Sequence, residues 1–370
     1  MFNNPLYQPN SYLRLQFFFR CSKMFGAKKN KSVINRSWLM KAIRYHEVGE
    51  VDVLKYEDVP TPEIGDDEVL VRVRAASLNH LDLRLRAGKS PRPVELPHIG
   101  GVDASGDVEE VGKNVTNLSP GTRVVIDPTV KTPKGPSVMG VNFHGGFAEY
   151  VKVPGANVVP IPDEVSYDDA CTLPVCSVTA WYGLYERGGM QKGETVLIHA
   201  AGSGTGSAAV QVAKEGGAYV IATAGSDEKL EKVKEIGADA TINYNTSDFS
   251  EEVKKITEGK GVDLIFDQIG ASAWENNLKS LKPKGRILLI GVVGGGQTTF
   301  NFGPVIMRDL SVLGVTVFNA PRKNLINMIN LVSLNRFKPV IDKTFPLSEA
   351  AQAQKMLEDR SQFGKVILNP

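Results

Sequence analysis

The chain has 370 residues, 42% hydrophobic and 23% charged; that ordinary globular composition excludes wholesale disorder, and the length suggests two domains. No run of 18 apolar residues occurs, so no transmembrane helix is expected, and three Cys exclude a disulfide scaffold or a Cys-rich zinc ribbon. Seven of the 43 basic residues and none of the 41 acidic ones lie in residues 1–39, leaving 36 basic against 41 acidic, a net charge of −5, over residues 40–370, which does not suit a nucleic-acid binder.

Residues 1–39 are basic, acid-free and rich in Asn, Ser and aromatics. Three readings stand: a transit peptide, a membrane-surface segment, or a stretch translated ahead of a start at Met40. The strand-like run opening at Met40 favours the last. With it goes a cytoplasmic protein, mitochondrial only if the leader is a transit peptide. Short runs rich in Val, Ile, Ala or aromatics at 41–45, 68–76, 106–111, 123–126 and 146–153, punctuated by Gly, Pro, Asn or Asp, predict a small barrel or sandwich. The texture changes near Tyr167. Helices are predicted at 168–173 and 179–186. Strands at 195–200, 219–224, 263–267 and 286–290 then alternate with helices at 207–216, 228–236, 249–258 and 273–281. That alternation predicts an α/β fold with a parallel sheet. A further strand is predicted at 313–318, helices at 325–334 and 348–359, and a last strand at 365–368.

The sharpest local signal is His199-Ala200-Ala201-Gly202-Ser203-Gly204-Thr205-Gly206, after one strand and at the start of a helix. Small residues there let the backbone approach a pyrophosphate, and the helix N-terminus offers free N–H groups. The strict G-x-G-x-x-G spacing is not met: Ala201 and Ser203 hold the first two Gly positions and Gly206 the third. A nucleotide-free glycine-rich turn is the alternative; the βα units in series behind the loop favour the nucleotide. Ser203, Gly204, Thr205 and Gly206 are the candidate phosphate contacts. At the end of the second strand, Ala224 stands where an acid would bind a ribose 2′-OH. Asp227 and Glu228 are close by, but Ser226 and Lys229 can contact a 2′-phosphate and Tyr244 can pack near it. This favours NADPH, with NADH as the alternative.

Six stretches carry a resemblance: 77–82 (Ser-Leu-Asn-His-Leu-Asp), 101–106 (Gly-Val-Asp-Ala-Ser-Gly), 145–150 (Gly-Gly-Phe-Ala-Glu-Tyr), Leu173-Pro174 through Thr179-Ala180-Trp181, the glycine loop, and 363–366 (Phe-Gly-Lys-Val). In this order and spacing the chain resembles the medium-chain dehydrogenase/reductase superfamily over essentially all of 40–370. It is most similar there to the zeta-crystallin-like quinone oxidoreductases and to a bacterial and archaeal group labelled alcohol dehydrogenase. The resemblance implies a GroES-like β-barrel catalytic domain (40–164 and 320–370) split by a doubly wound Rossmann domain (165–319), with the active site in the cleft between them. It also implies Asn79 and Asp82 in that cleft, Thr179 near the nicotinamide amide, Gly291 and Val292 close to the nicotinamide, and Phe318 and Asn319 along the cofactor. Lys365 is only a candidate cofactor contact.

Zinc-using members of the superfamily hold a catalytic metal with Cys, His and Cys. Here those positions are Asn79, Val102 and Cys176, and the segment 128–139, which matches the structural zinc site, has no Cys. Three protein ligands are what catalytic zinc needs, so no metal is expected, and Cys176 reads as a small buried hydrophobe. Without a Lewis acid an alkoxide is hard to stabilise. The expected reaction is therefore hydride transfer from NADPH to a quinone or activated enone. Asn79 would donate a hydrogen bond near the acceptor oxygen, His80 or Tyr182 would relay a proton or merely pack, and Asp82 would mainly fix its loop. The alternatives are a zinc-type alcohol dehydrogenase and an NADPH-binding sensor or structural protein with little turnover. A small-molecule substrate is expected, with no nucleic acid and no membrane partner. Pairing of the edge strand at 313–318 would give a homodimer or homotetramer.

Overall fold

The computed structural model describes residues 38–90 and 93–370. The reading of the leader thus lies outside the described residues, save that Leu39 already opens the first strand, Leu39–Tyr45. That strand sits between Lys55–Pro60 and His98–Ile99 in a three-stranded sheet. A larger sheet runs Val158–Pro160, Arg123–Ile126, Asp103–Val111, Glu68–Ser77, Lys365–Asn369, Ile341–Pro346, with Tyr150–Pro154 also on Glu68–Ser77. Period-two patterning explains Glu68–Ser77: Val71 and Val73 are buried while Arg72 and Arg74 are exposed. Its buried side chains share a core with Val124, Ile126, Phe147, Val366 and Leu368.

The last strand of the chain returns to the barrel's early strand Glu68–Ser77. Lys365–Asn369 runs antiparallel to Glu68–Ser77 with Ile367 opposite Ser77. Carrying that register two residues on sets Lys365 opposite Asn79, 286 residues away in sequence.

The other large sheet is parallel throughout, in the order Ala240–Asn243, Tyr219–Ala224, Thr195–Ile198, Val262–Asp267, Leu281–Leu289, Ser311–Gly314. Helices on both faces explain why its central strands are apolar along their whole length. Val196 and Ile198 enter one core, and Leu197 enters another on the opposite face. The order doubles back at Thr195–Ile198, and such a switch point opens a crevice at the carboxyl ends of the strands.

Several elements differ from expectation. The predicted helix at 179–186 is a single α-helical turn, Val178–Trp181, flanked by wider turns at Leu173–Ser177 and Tyr182–Arg187. Pro174 has no N–H to give, and the Val175 N–H leaves the helix to bond Asp103 Oδ1 at 3.1 Å. The strand predicted at 313–318 is Ser311–Gly314, followed by a turn of 3-10 helix at Val317–Asn319. Its neighbour ends at Leu289, paired with Gly314, and the Leu289 carbonyl takes the Val315 N–H as the last bond between them. The predicted strand at 146–153 is regular only over Tyr150–Pro154; before it, Gly145, Gly146 and Phe147 bond along Ile99–Gly101. The helices His80–Arg86 and Phe302–Met307 were not anticipated. Lys323–Ser333, on the barrel side of the expected division at 320, packs Leu325, Met328 and Ile329 into the core that holds Val196 and Ile198. Among the described residues no helix is long and apolar enough to cross a membrane.

Candidate active site

A cleft of 590 Å³ follows the carboxyl ends of the parallel strands and reaches the barrel residues 78–81 and 364–365. Asn79, His80, Thr179, Ser203, Gly204, Thr205, Ser226, Lys229, Tyr244, Gly291 and Phe318 line it. Four expected site residues, Asp82, Gly206, Val292 and Asn319, do not, and neither does Tyr182. Gly206 works by packing: a side chain there would fall on the Ala200 carbonyl, so its absence lets the helix Gly204–Glu215 sit close on the strand before it. Val292 and Asn319 yield to their neighbours Val293 and Thr316–Val317, which do line the cleft. Asp82 lies behind the wall, where its carboxylate accepts from Asn79 N (2.8 Å) and Gly101 N (3.2 Å). It holds the loop that presents Asn79.

At one end of the cleft, Ser203 caps the helix Gly204–Glu215 by accepting from Gly206 N at 3.0 Å. First-turn amides have no partner within their helix, and Gly204 and Thr205 bring two of them to the cleft. Ser226 caps the next helix, Asp227–Glu235, and Lys229 Nζ donates to the Arg360 carbonyl at 2.7 Å. Burial holds the Lys229 pKa below its ordinary value. Of the acids close by in sequence, Asp227 accepts from Asn243 and Glu228 pairs with Lys232, while Asp342 and Glu228 act on Lys229 only through their charge. Among the described residues the cleft lining contains no Asp or Glu and three basic residues, Lys229, Arg360 and Lys365. Arg360, Gln362, Asn245 and Gln268 were not anticipated; the polar run Arg360-Ser361-Gln362 just ahead of the last strand was the one signal available.

At the other end Lys365 Nζ is buried. It donates to Leu78 O (2.7 Å) and Asn79 Oδ1 (2.8 Å) and lies 3.5 Å from both Cys176 Sγ and Asp103 Oδ2. Asn79 Nδ2 donates to Asp103 Oδ2 at 2.9 Å and, more weakly, to Ser77 O at 3.4 Å. An ammonium on one side and two acceptors on the other fix the orientation of this amide. The expected Asn79 donor is therefore already engaged within the protein. Thr205 Oγ1 donates to Cys176 Sγ at 3.2 Å, and Cys176 lines the cleft. His80 opens the helix His80–Arg86 at the cleft mouth, open to solvent on one side. The protein around it and the cations Arg360 and Lys365 lower its pKa, which keeps the imidazole neutral at pH 7. His98 is buried and bonds Gly140 O at 3.0 Å, as a packed histidine would.

Residues 65–163 match the family model of the alcohol dehydrogenase GroES-like domain, and 204–333 that of the zinc-binding dehydrogenases. A zinc-type alcohol dehydrogenase-like protein of Schizosaccharomyces pombe is 32% identical over 345 residues, spanning 88% of this chain and 99% of its own. This chain belongs to the medium-chain dehydrogenase/reductase superfamily. Rat quinone oxidoreductase is 30% identical over 336 residues, 89% of this chain and 98% of the relative. The solved structure of an NAD-dependent alcohol dehydrogenase superposes with a TM-score of 0.85 at 39% identity, over 90% of this chain and all of that one. As a medium-chain dehydrogenase/reductase the protein is an NAD(P)-dependent oxidoreductase of small molecules, with a GroES-like domain and a Rossmann domain.

The donor set does not fit the catalytic zinc of this superfamily. Val102 is fully buried and carries no donor, the Asn79 carbonyl oxygen is taken by Lys365, and a metal beside Cys176 would face an ammonium 3.5 Å away. Among the described residues no three His, Cys, Asp or Glu converge as a metal site. A nicotinamide dinucleotide does fit, because phosphates need free amides and cations and no opposing carboxylate.

Proposed function

We propose that this medium-chain dehydrogenase/reductase uses NADPH to reduce a quinone or an activated enone, without a catalytic zinc. The observation that carries the reading is a cleft wall with three cations and no carboxylate. A bound nicotinamide supplies the hydride. The chain's own residues bind and orient. The Gly204 and Thr205 amides, with Ser203, take the pyrophosphate; Ser226 and Lys229 take the 2′-phosphate, with Tyr244 beside it. Thr179, Gly291 and Phe318 hold the nicotinamide end. His80, neutral and open to water, is placed to pass a proton inward.

The test is oxidation of NADPH against NADH by the full chain, with an ortho-quinone, in the presence and absence of a chelator. Fast turnover that prefers NADPH and ignores the chelator is expected. Activity abolished by chelation and restored by zinc would return the protein to the alcohol dehydrogenase reading. Lys229→Ala is expected to raise KM for NADPH about tenfold, the loss of roughly one charge-assisted bond, and to leave KM for NADH nearly unchanged. An equal rise for both cofactors would remove Lys229 from the 2′-phosphate.

Cys171 and Cys176 are free thiols, which accords with a reducing, cytoplasmic setting. We also propose a homodimer or homotetramer built on the edge strand Ser311–Gly314. The helix just ahead of it, Phe302–Met307, exposes 67% of Phe302, 70% of Ile306 and 83% of Met307. An unpaired strand beside such an apolar patch is an aggregation hazard unless covered. Light scattering at micromolar concentration should give two or four times the 40.2 kDa chain mass, and Met307→Glu should shift it toward monomer. A monomeric wild type refutes the interface.

A further inference from the structure

Of the three cations that line this cleft, Lys365 is the buried one. Its side chain is almost fully buried, and its stem occupies the space that a side chain at Gly204 would take: a Cβ there would come within 2.5 Å of Lys365 Cδ. Short bonds to Leu78 O and Asn79 Oδ1 fix two of its three N–H groups. The third donates to Cys176 Sγ at 3.5 Å, a weak acceptor that a substrate oxygen can replace, with Asp103 Oδ2 also 3.5 Å away. Its counter-charge, Asp103, is spent on Ser77, Asn79 and the Val175 amide. The result is a preorganised cation on the cleft wall, with one donor not committed to a short bond. It stands between Asn79 and Cys176, two of the three positions at which zinc-using members hold their metal.

We propose that Lys365 is the catalytic cation of this site: resting on the quinone or enone reductase reading, its third N–H binds the acceptor oxygen and stabilises the negative charge that hydride transfer creates there. With an enone, hydride adds to the β-carbon, the C=C pair shifts toward the carbonyl, and the enolate oxygen is held by Lys365. A proton from water then completes the α-carbon, so acceptor, NADPH and one proton give saturated ketone and NADP+. With a quinone, the same ammonium holds the hydroquinone oxyanion until water protonates it. Donors aimed in advance at a developing oxyanion are a large source of rate enhancement. Burial pushes the Lys365 pKa down, but Cys176, Asp103, Cys171 and Asp82 around it more than offset that and raise it. It therefore acts as a fixed charge and not as the proton donor, and His80 at the cleft mouth is neutral.

The experiment uses the full chain with Lys365→Met and Lys365→Ala, an ortho-quinone and an α,β-unsaturated ketone as acceptors, and NADPH affinity measured separately by fluorescence titration. The Met variant should keep its NADPH Kd within threefold and lose about 10²-fold in kcat, more for the ketone, whose enolate is the more basic. Added ethylammonium should restore part of the turnover of the Ala variant, which a merely structural lysine would not allow. A kcat retained within threefold overturns the proposal. So does weakened NADPH binding with kcat intact at saturation, which would make Lys365 a cofactor contact. A wild type that reduces neither acceptor instead sinks the functional reading and the proposal with it, and is told apart by needing no variant. If the Met variant does not fold, the wild type decides: with NADP+ present, bound 4-nitrophenol should titrate at least about one unit below its free value, and no binding or no shift overturns the assignment.

Discussion

Asp103→Ala is expected to lower folding stability by about 4 kcal/mol, the cost of leaving a buried charge without its partner. The Asp103 side chain is fully buried and accepts from Ser77 Oγ (2.9 Å), Asn79 Nδ2 (2.9 Å) and Val175 N (3.1 Å). Its loss strands the Lys365 ammonium 3.5 Å away and orphans the Val175 N–H. Two of the other donors have a fallback, Ser77 Oγ on Cys171 O at 3.0 Å and Asn79 Nδ2 on Ser77 O at 3.4 Å. The loss is thus set mainly by the charge. Asp103→Asn separates the terms: it keeps an acceptor but no charge and should cost about half as much. Urea unfolding with an unchanged slope is the measurement. If the Ala variant came within about 1 kcal/mol of wild type, water would be reaching Lys365, and its standing as a desolvated cation would fall with that result.

How much of the molecule could be read from the chain depends on how locally each feature is encoded. The parallel strands announce themselves because helices cover both faces and the run must be apolar, as at 195–198 and 262–267. Ser203–Thr205 and Ser226 could be proposed from the chain because each follows the end of such a strand, where strand, turn and helix are consecutive in sequence, whereas Gly291 was implied only by the family resemblance; all of them line the cleft. Lys55–Pro60 was missed because only Val59 in it is buried, so no alternation marks it. Val292 and Asn319, also implied by the resemblance, stand beside the cleft-lining Val293 and Phe318, and loops have no period to say which side chain faces inward. Gly206, read as part of the loop, lies in the first turn of the helix Gly204–Glu215, and its work is helix packing. The pairing of Lys365 with Asn79 was out of reach for a different reason. It depends on the register between the last strand and Glu68–Ser77, which no local pattern specifies. Lys365 alone reads as a basic residue at a strand start; only the register makes it part of a cation, amide and thiol cluster.

The same cluster gives the second large effect, on pH. Burial raises the Asp82 pKa to about 7; the Asn79 amide opposes this, the Asp103 charge adds to it, and Lys365 and the Gly101 amide oppose it further. In the unfolded chain the group titrates near its ordinary value of about 3.9. The folded pKa is the higher one, so the stability Asp82 contributes is fully present below about pH 4 and is lost as pH rises through about 7. At about 1.4 kcal/mol per unit, some 4 kcal/mol is at stake for a group this deeply buried. Asp82→Asn removes the titration while keeping an oxygen for the Asn79 amide. Wild type and variant should therefore melt alike below about pH 4, and the variant should become steadily the more stable between about pH 4 and pH 7, with little further change above that. Thermal unfolding of both across that range decides it, and parallel curves would mean that Asp82 stays ionised throughout. The expected outcome also bears on the cleft. Two buried carboxylates, Asp82 and Asp103, face one ammonium, so a proton held on Asp82 leaves Asp103 and Lys365 as a balanced pair. Lys365 keeps its charge in either state, because ionising Asp82 only raises its pKa further; pH thus moves the stability of this wall well before it discharges the cation.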